Sequence, residues 1–151
     1  MPPLYEIAHL AHVELRTPVP EQSLQFFTRY LGLTENGSAG DSVFLRAYDD
    51  YQQATVKLTA HHPSGVGRTN LRAASPEALE RRVKEIEAAG RGIGWADGDP
   101  GYGPTYLFTD PDGHEFGLHY ECEWYAPPSG LVPSLKNQAQ ATPSHGVPAL
   151  A

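Results

Sequence analysis

An α+β fold built from two βαβββ units is predicted for these 151 residues by three observations. A weak internal repeat emerges when His12-Val13-Glu14-Leu15-Arg16 is laid over Arg68-Thr69-Asn70-Leu71-Arg72, which also brings Pro20-Glu21 onto Pro76-Glu77. Each half carries one stripe of apolar residues at helical spacing. Short apolar runs punctuated by Gly, Asn and Asp surround each stripe and read as strands.

In the first half, Ala11, Val13 and Leu15 alternate along a strand from Ile7 to Leu15. Pro20 suits the first turn of a helix, Leu24, Phe27 and Leu31 recur along it, and Gly32 offers a left-handed stop. A short extended segment from Leu33 to Asn36 and strands from Ser42 to Tyr48 and Ala54 to Ala60 complete the unit. The second half opens with a strand from Arg68 to Ala73. Ser75 then stands as N-cap, with Pro76 and Glu77 in the first turn, Leu79, Val83 and Ile86 as the buried stripe, and Gly90 as terminator. Strands come next at Gly92 to Ala96, Thr105 to Thr109 and His114 to Tyr120. Asp110-Pro111-Asp112-Gly113 before the last has the residue placement of a type I turn.

Composition narrows the function classes. The chain is long enough for one domain with a real core, and its 40% hydrophobic content suits a globular protein. A net charge of -7 argues against nucleic-acid or anionic-membrane partners, and no apolar run approaches a membrane span. The N-terminus Met1-Pro2-Pro3-Leu4 lacks the regions of a secretory signal, so a cytoplasmic address is expected. A single cysteine, Cys122, excludes an intrachain disulfide framework and a thiolate cluster. Gly98-Asp99-Pro100-Gly101-Tyr102-Gly103-Pro104 has no lysine and no following helix, and reads as an ordered loop rather than a phosphate cradle. From Pro127 the content of Pro, Ser, Ala and Gln rises and periodicity fades. The expected organisation is a paired βαβββ domain over residues 1–126 and a C-terminal arm or interdomain linker over 127–151, with Leu131, Val132 and Leu135 able to dock.

Two βαβββ units with an Asp-Pro-Asp-Gly-His turn before the final strand resemble the vicinal oxygen chelate superfamily, which includes glyoxalase I, bleomycin-resistance proteins and type I extradiol dioxygenases. The resemblance implies an open, curved mixed sheet with helices outside and a pocket within. Glu121-Cys122-Glu123-Trp124-Tyr125-Ala126-Pro127-Pro128 and Leu135-Lys136-Asn137-Gln138 resemble the link after the N-terminal domain of catechol 2,3-dioxygenase-like enzymes. In those enzymes a second pair of units comes after the link and holds the iron.

Strand alternation assigns the faces. Leu10, His12 and Glu14 are expected on the concave side, with Thr55, Lys57 and Thr59, with Arg68, Asn70 and Arg72, and with Glu115, Gly117, His119 and Glu121. The resemblance places metal ligands at the positions of His12, Lys57, Arg68 and Gly117, and only the first is a ligand. A non-haem Fe(II) site needs two imidazoles and a carboxylate, whereas guanidinium has no lone pair to donate and fixed positive charge repels a divalent ion. Glu14, Glu115 and Glu121 are expected to neutralise Lys57, Arg68 and Arg72 in a metal-free interior. A rival site of His12, His119 and Glu121 sets His119 about 6.6 Å along the strand from the ligand position, against metal–nitrogen distances of ~2.1 Å. His9 and His114 are assigned to the faces opposite His12 and His119, His61 and His62 to a diverging pair or loop, and Cys122 to the helix side as core filler.

These readings give two function classes. The first is the N-terminal, non-catalytic half of an Fe(II)-dependent extradiol ring-cleaving dioxygenase of aromatic degradation. Its partners would be a C-terminal catalytic domain, a small aromatic substrate and further copies of itself, and no cofactor would sit in this chain. The second is a stand-alone metal-free binding protein of the bleomycin-resistance type. It would stack a cationic or aromatic molecule on Trp95, Tyr102, Tyr106, Trp124 or Tyr125. A glyoxalase-like isomerase needs the missing ligands too.

Overall fold

A computed structural model describes residues 5–126, so the expected arm lies outside the described residues. The chain runs β1 (Ile7–Thr17), α1 (Pro20–Arg29), β2 (Thr34–Ala39), β3 (Ser42–Arg46), β4 (Val56–Ala60), β5 (Gly65–Ala73), α2 (Pro76–Ala88), β6 (Gly92–Ala96), β7 (Thr105–Thr109) and β8 (Glu115–His119). This is βαβββ twice. The strands form one eight-stranded mixed sheet in the order β2-β3-β4-β1-β5-β8-β7-β6. In each unit the first strand lies parallel to the last, β1 to β4 and β5 to β8, and the units meet where β1 and β5 run antiparallel. No helix among the described residues is long and apolar enough to cross a membrane.

Local chemistry fixes the boundaries. The Ser75 hydroxyl accepts the Ala78 N–H at 3.1 Å, Pro76 occupies the first turn, and Gly90 leaves α2 at φ 69°. The turn before β8 closes with Gly113 N–H donating to Asp110 O at 3.1 Å. The Asp110 carboxylate accepts the amides of Asp112 and His114 at 2.9 Å each. β6 and β7 have the bounds expected from sequence. β3 and β4 are shorter because residues 47–55 loop around Asp50, whose carboxylate accepts the Gln52 amide at 2.9 Å and the Thr55 hydroxyl at 2.7 Å. β1 and β5 are longer because their pairing continues to Arg16↔Gly65.

The apolar side of the second unit packs as its alternation requires. Ala73, Ala78 and Leu118 are fully buried, with Leu71, Leu79 and Phe108 against them. α1, the counterpart of α2, buries no residue.

The β1–β5 register shifts three times, between Ile7 and His9, Leu10 and Val13, and Val13 and Leu15. A register shift between Leu10 and Val13 inserts a residue into β1 opposite β5, so the pleat changes phase there. Leu10 therefore pairs with Leu71 on the helix side and is 59% exposed, instead of pointing into the concavity. His9, expected to face away from His12, pairs with Arg72 and joins the concave face, its ring 4.8 Å from Tyr51.

Urea denaturation checks this reading of the core. Leu118→Ala, which empties a fully buried site, is expected to cost about 2–5 kcal/mol, and Ser75→Ala, which removes only a cap, about 1 kcal/mol.

Candidate functional site

The concave face carries a row of polar side chains from four adjacent strands. Glu14 stands beside Lys57, Asn70 beside Gly117, and Arg72 beside His119 in the strand register. Lys57 and Thr59 of β4, Arg68, Asn70 and Arg72 of β5, and Glu115, Gly117 and His119 of β8 line this face as expected. His12, Asn70, Arg72 and His119 are almost completely buried, so each needs a partner from the protein.

The loop from residue 97 to 104 supplies much of that partnering. Asp99 reaches across the face: one carboxylate oxygen accepts from His12 Nε2 at 2.9 Å and the other from Lys57 Nζ at 2.7 Å. Burial pushes its carboxyl up, but the two hydrogen bonds and the Lys57 charge outweigh it and hold the pKa at about 2. Tyr102 enters between the two buried imidazoles, its ring 4.5 Å from that of His12 and 5.2 Å from that of His119. Its hydroxyl donates to Ala54 O and accepts the Ala54 N–H. Burial drives its pKa upward, and it remains a phenol. The loop can lie this close because Gly98 has no side chain. A Cβ there would stand 2.3 Å from Gly103 O.

The cationic positions are also engaged. Arg68 pairs with Glu115 at 2.7 Å, as expected. Lys57 was expected to pair with a glutamate, but Asp99 takes that place because it approaches from the loop above. Glu14 accepts instead from Thr59 Oγ1 at 2.8 Å and from the Arg68 amide at 3.1 Å. Burial raises the Glu14 pKa, while these hydrogen bonds and the charges of Lys57 and Arg16 bring it below the usual carboxylate range. Arg72 donates to Tyr120 O at 2.9 Å and lies 4.8 Å from the Tyr120 ring and 6.0 Å from that of Tyr51.

Glu121, expected inward, is exposed, because the strand ends at His119 and the chain turns to bridge Tyr102 through Cys122. Cys122 is buried as expected. It packs with Tyr51, Tyr102 and Trp124 rather than under the helices, for the same reason. Burial raises its thiol pKa, so it stays protonated.

Of the positions His12, Lys57, Arg68 and Gly117, only His12 offers a metal-ligating side chain, and it is bonded to Asp99. Gly117 stands where the superfamily resemblance places a carboxylate ligand. A Cβ there would lie 2.4 Å from Asn70 Oδ1, 2.7 Å from Thr105 Cγ2 and 3.1 Å from Arg68 Cδ. The room that a glutamate would need is therefore filled. His12, His119 and Glu121 do not converge either: Tyr102 separates the imidazoles and Glu121 lies outside. Among the described residues, Asp110, Asp112 and His114 form the one group of potential ligand atoms within 4.8 Å of one another, on the exposed turn whose own amides they satisfy.

A protein-family model described as the Glyoxalase/Bleomycin resistance protein/Dioxygenase superfamily matches residues 9–118. The chain belongs to this superfamily. A metapyrocatechase of Geobacillus stearothermophilus is 47% identical over 146 residues, covering 97% of this chain and 45% of the relative. A manganese-dependent 2,3-dihydroxybiphenyl 1,2-dioxygenase of Geobacillus genomosp. 3 is 33% identical and covers 94% of this chain and 45% of its own length. The chain thus spans about half the length of the curated relatives it matches. Two homoprotocatechuate 2,3-dioxygenases share the fold, each with a TM-score of 0.74 over 82% of this chain. The one from Brevibacterium fuscum is 21% identical and covered over 35% of its length, and the one from Arthrobacter globiformis is 19% identical and covered over 40%.

Sequence reasoning located the row of inward residues but missed what closes it. Asp99 and the placement of Tyr102 were hidden in a loop, where no periodicity reports direction. The available signal was an acid and an aromatic set among glycines and prolines, opposite a face with three cations.

The buried imidazole sets a pH dependence. Burial first, then the nearby His12, Arg72 and His9 charges, depress His119 to about 3 from an ordinary 6.5, against the opposing pull of Asp99. Below pH 6.5 the unfolded chain takes this proton and the folded one does not, so stability falls as pH drops from about 6.5 toward 3. Asp99 adds a second loss between its ordinary 3.8 and about 2. The unfolding free energy measured across pH 3–7 is expected to decline by a few kcal/mol in total. His119→Gln is expected to flatten the limb above pH 4 and leave the lower one.

Proposed function

We propose that this domain is the non-catalytic N-terminal half of an Fe(II)-dependent extradiol ring-cleaving dioxygenase acting on a catechol. The observation that carries the proposal is glycine at position 117, crowded by the Arg68 side chain, together with Lys57 bound to Asp99 at another of the ligand positions. Similarity to a metapyrocatechase along 97% of this chain, yet only 45% of that protein, supports the assignment to one half. Oxygen in its triplet state reacts poorly with a closed-shell catechol, so cleavage requires a redox-active metal. The residues here do not fit one, and in this reading the second half holds the iron and the substrate.

The contribution of this half is a rigid platform. Residues 122–125 are fastened to it: the Trp124 ring packs on Tyr51 at 5.5 Å, the Tyr125 amide donates to Tyr51 O at 2.8 Å, and the Arg46 guanidinium lies 3.5 Å from the centre of the Tyr125 ring. The chain leaves the domain from a fixed point, which in this reading helps orient the second half. A metal-free binding module would need open space in the concavity. Tyr102 occupies the part between His12 and His119.

Anaerobic reconstitution with Fe(II), and then a catechol turnover assay, tests the proposal. The chain is expected to retain no stoichiometric iron and to form no ring-cleavage product. Tight one-to-one iron with product formation would overturn it, as would a natural stop codon directly after Ala151.

A further inference from the structure

The helix-bearing side of the sheet has two apolar surfaces that the fold itself leaves uncovered, and the internal repeat supplies the control for judging them. α2 buries Ala78 and Val83 against its strands, whereas α1 buries nothing. Phe26 and Tyr30 lie one turn apart on α1, 49% and 69% exposed, with ring centres 5.9 Å apart. Val19 extends the stripe at the N-terminal end. Arg29 flanks it, its guanidinium 5.8 Å from the Tyr30 ring, and has no carboxylate partner among the described residues. The result is an aromatic ridge with a positive edge.

The second surface is a groove of about 340 Å³ at the N-terminal end of α2, walled by Pro76, Leu79, Trp95 and Tyr120. Trp95 is 55% exposed, although the Tyr106 ring it packs against is buried. Glu80 and Glu121 line the same groove, and neither has a cationic partner among the described residues. This is an aromatic furrow with a negative edge.

We infer that these surfaces bind each other between two copies of this chain, Phe26 and Tyr30 of one copy entering the groove of the other with Arg29 against Glu80 and Glu121. The inference is independent of the function proposed above. Charge decides the pairing, because groove on groove would bring four carboxylates together, whereas ridge in groove joins opposite signs. Both surfaces lie on the helix-bearing side, so two copies related by a two-fold axis can make the contact reciprocally. Aromatic burial supplies the affinity and the rim charges set the register.

Sedimentation velocity of the chain Met1–Ala151 tests this, with circular dichroism to verify the fold of each variant. The unaltered chain is expected to form a dimer. Arg29→Glu and Glu80→Arg, both at exposed positions, are each expected to weaken it by about tenfold or more. The two reversals combined are expected to recover part of the lost affinity, since Glu121 still opposes the reversed charge at position 29, an outcome that a general change in surface charge would not produce. The inference is overturned by a chain that stays monomeric at millimolar concentration, by a dimer indifferent to both single reversals, or by a folded double variant that does not recover.

Discussion

The carboxylate of Asp99, shared between the His12 imidazole and the Lys57 ammonium, is the contact on which the interior depends. Without it a lysine would sit in a partly buried groove opposite a buried histidine, and removing one member of such a set leaves a charge that neither water nor protein satisfies. The same contact holds down the loop that carries Tyr102. One aspartate thereby settles the ionisation of the concave face and its shape. In a chain with this sheet, that is the difference between a vessel and a block.

The two halves have the same topology but not the same packing. The second buries a compact apolar cluster between α2 and its strands, whereas the first rests α1 on β4 with no fully buried helical residue. Its buried apolar residues, Phe44, Leu45, Ala54 and Leu58 among them, lie on the strands and the loop instead, beside polar networks: Asp50 holding the loop before β4, Arg46 stacked on Tyr125, and Glu14 joining Thr59 to the Arg68 amide. Duplication of a fold does not oblige each copy to be stabilised in the same way.

Most of the architecture could be read from the residues. Period-two alternation gave the faces of β4, β5 and β8, and helix signals at Ser75, Pro76 and Gly90 bounded α2, because these features act over a few neighbours along the chain. Direction was lost wherever the pleat or the strand ended. An inserted residue after Leu10 moved His9 to the face of His12, and the end of β8 at His119 turned Glu121 outward and Cys122 inward. The partners of Lys57 were misread for a related reason. Asp99 is 42 residues away along the chain, and its position depends on a loop closed by tight glycine contacts rather than on any repeat.

Gly117 carries a consequence for any residue put in its place. With the side chains of Asn70, Thr105 and Arg68 within 3.1 Å of where its first side-chain carbon would be, a larger residue there requires those side chains to move. Any enlargement at this position is coupled to movement of its neighbours, so what it tolerates is set by them and not by Gly117 alone.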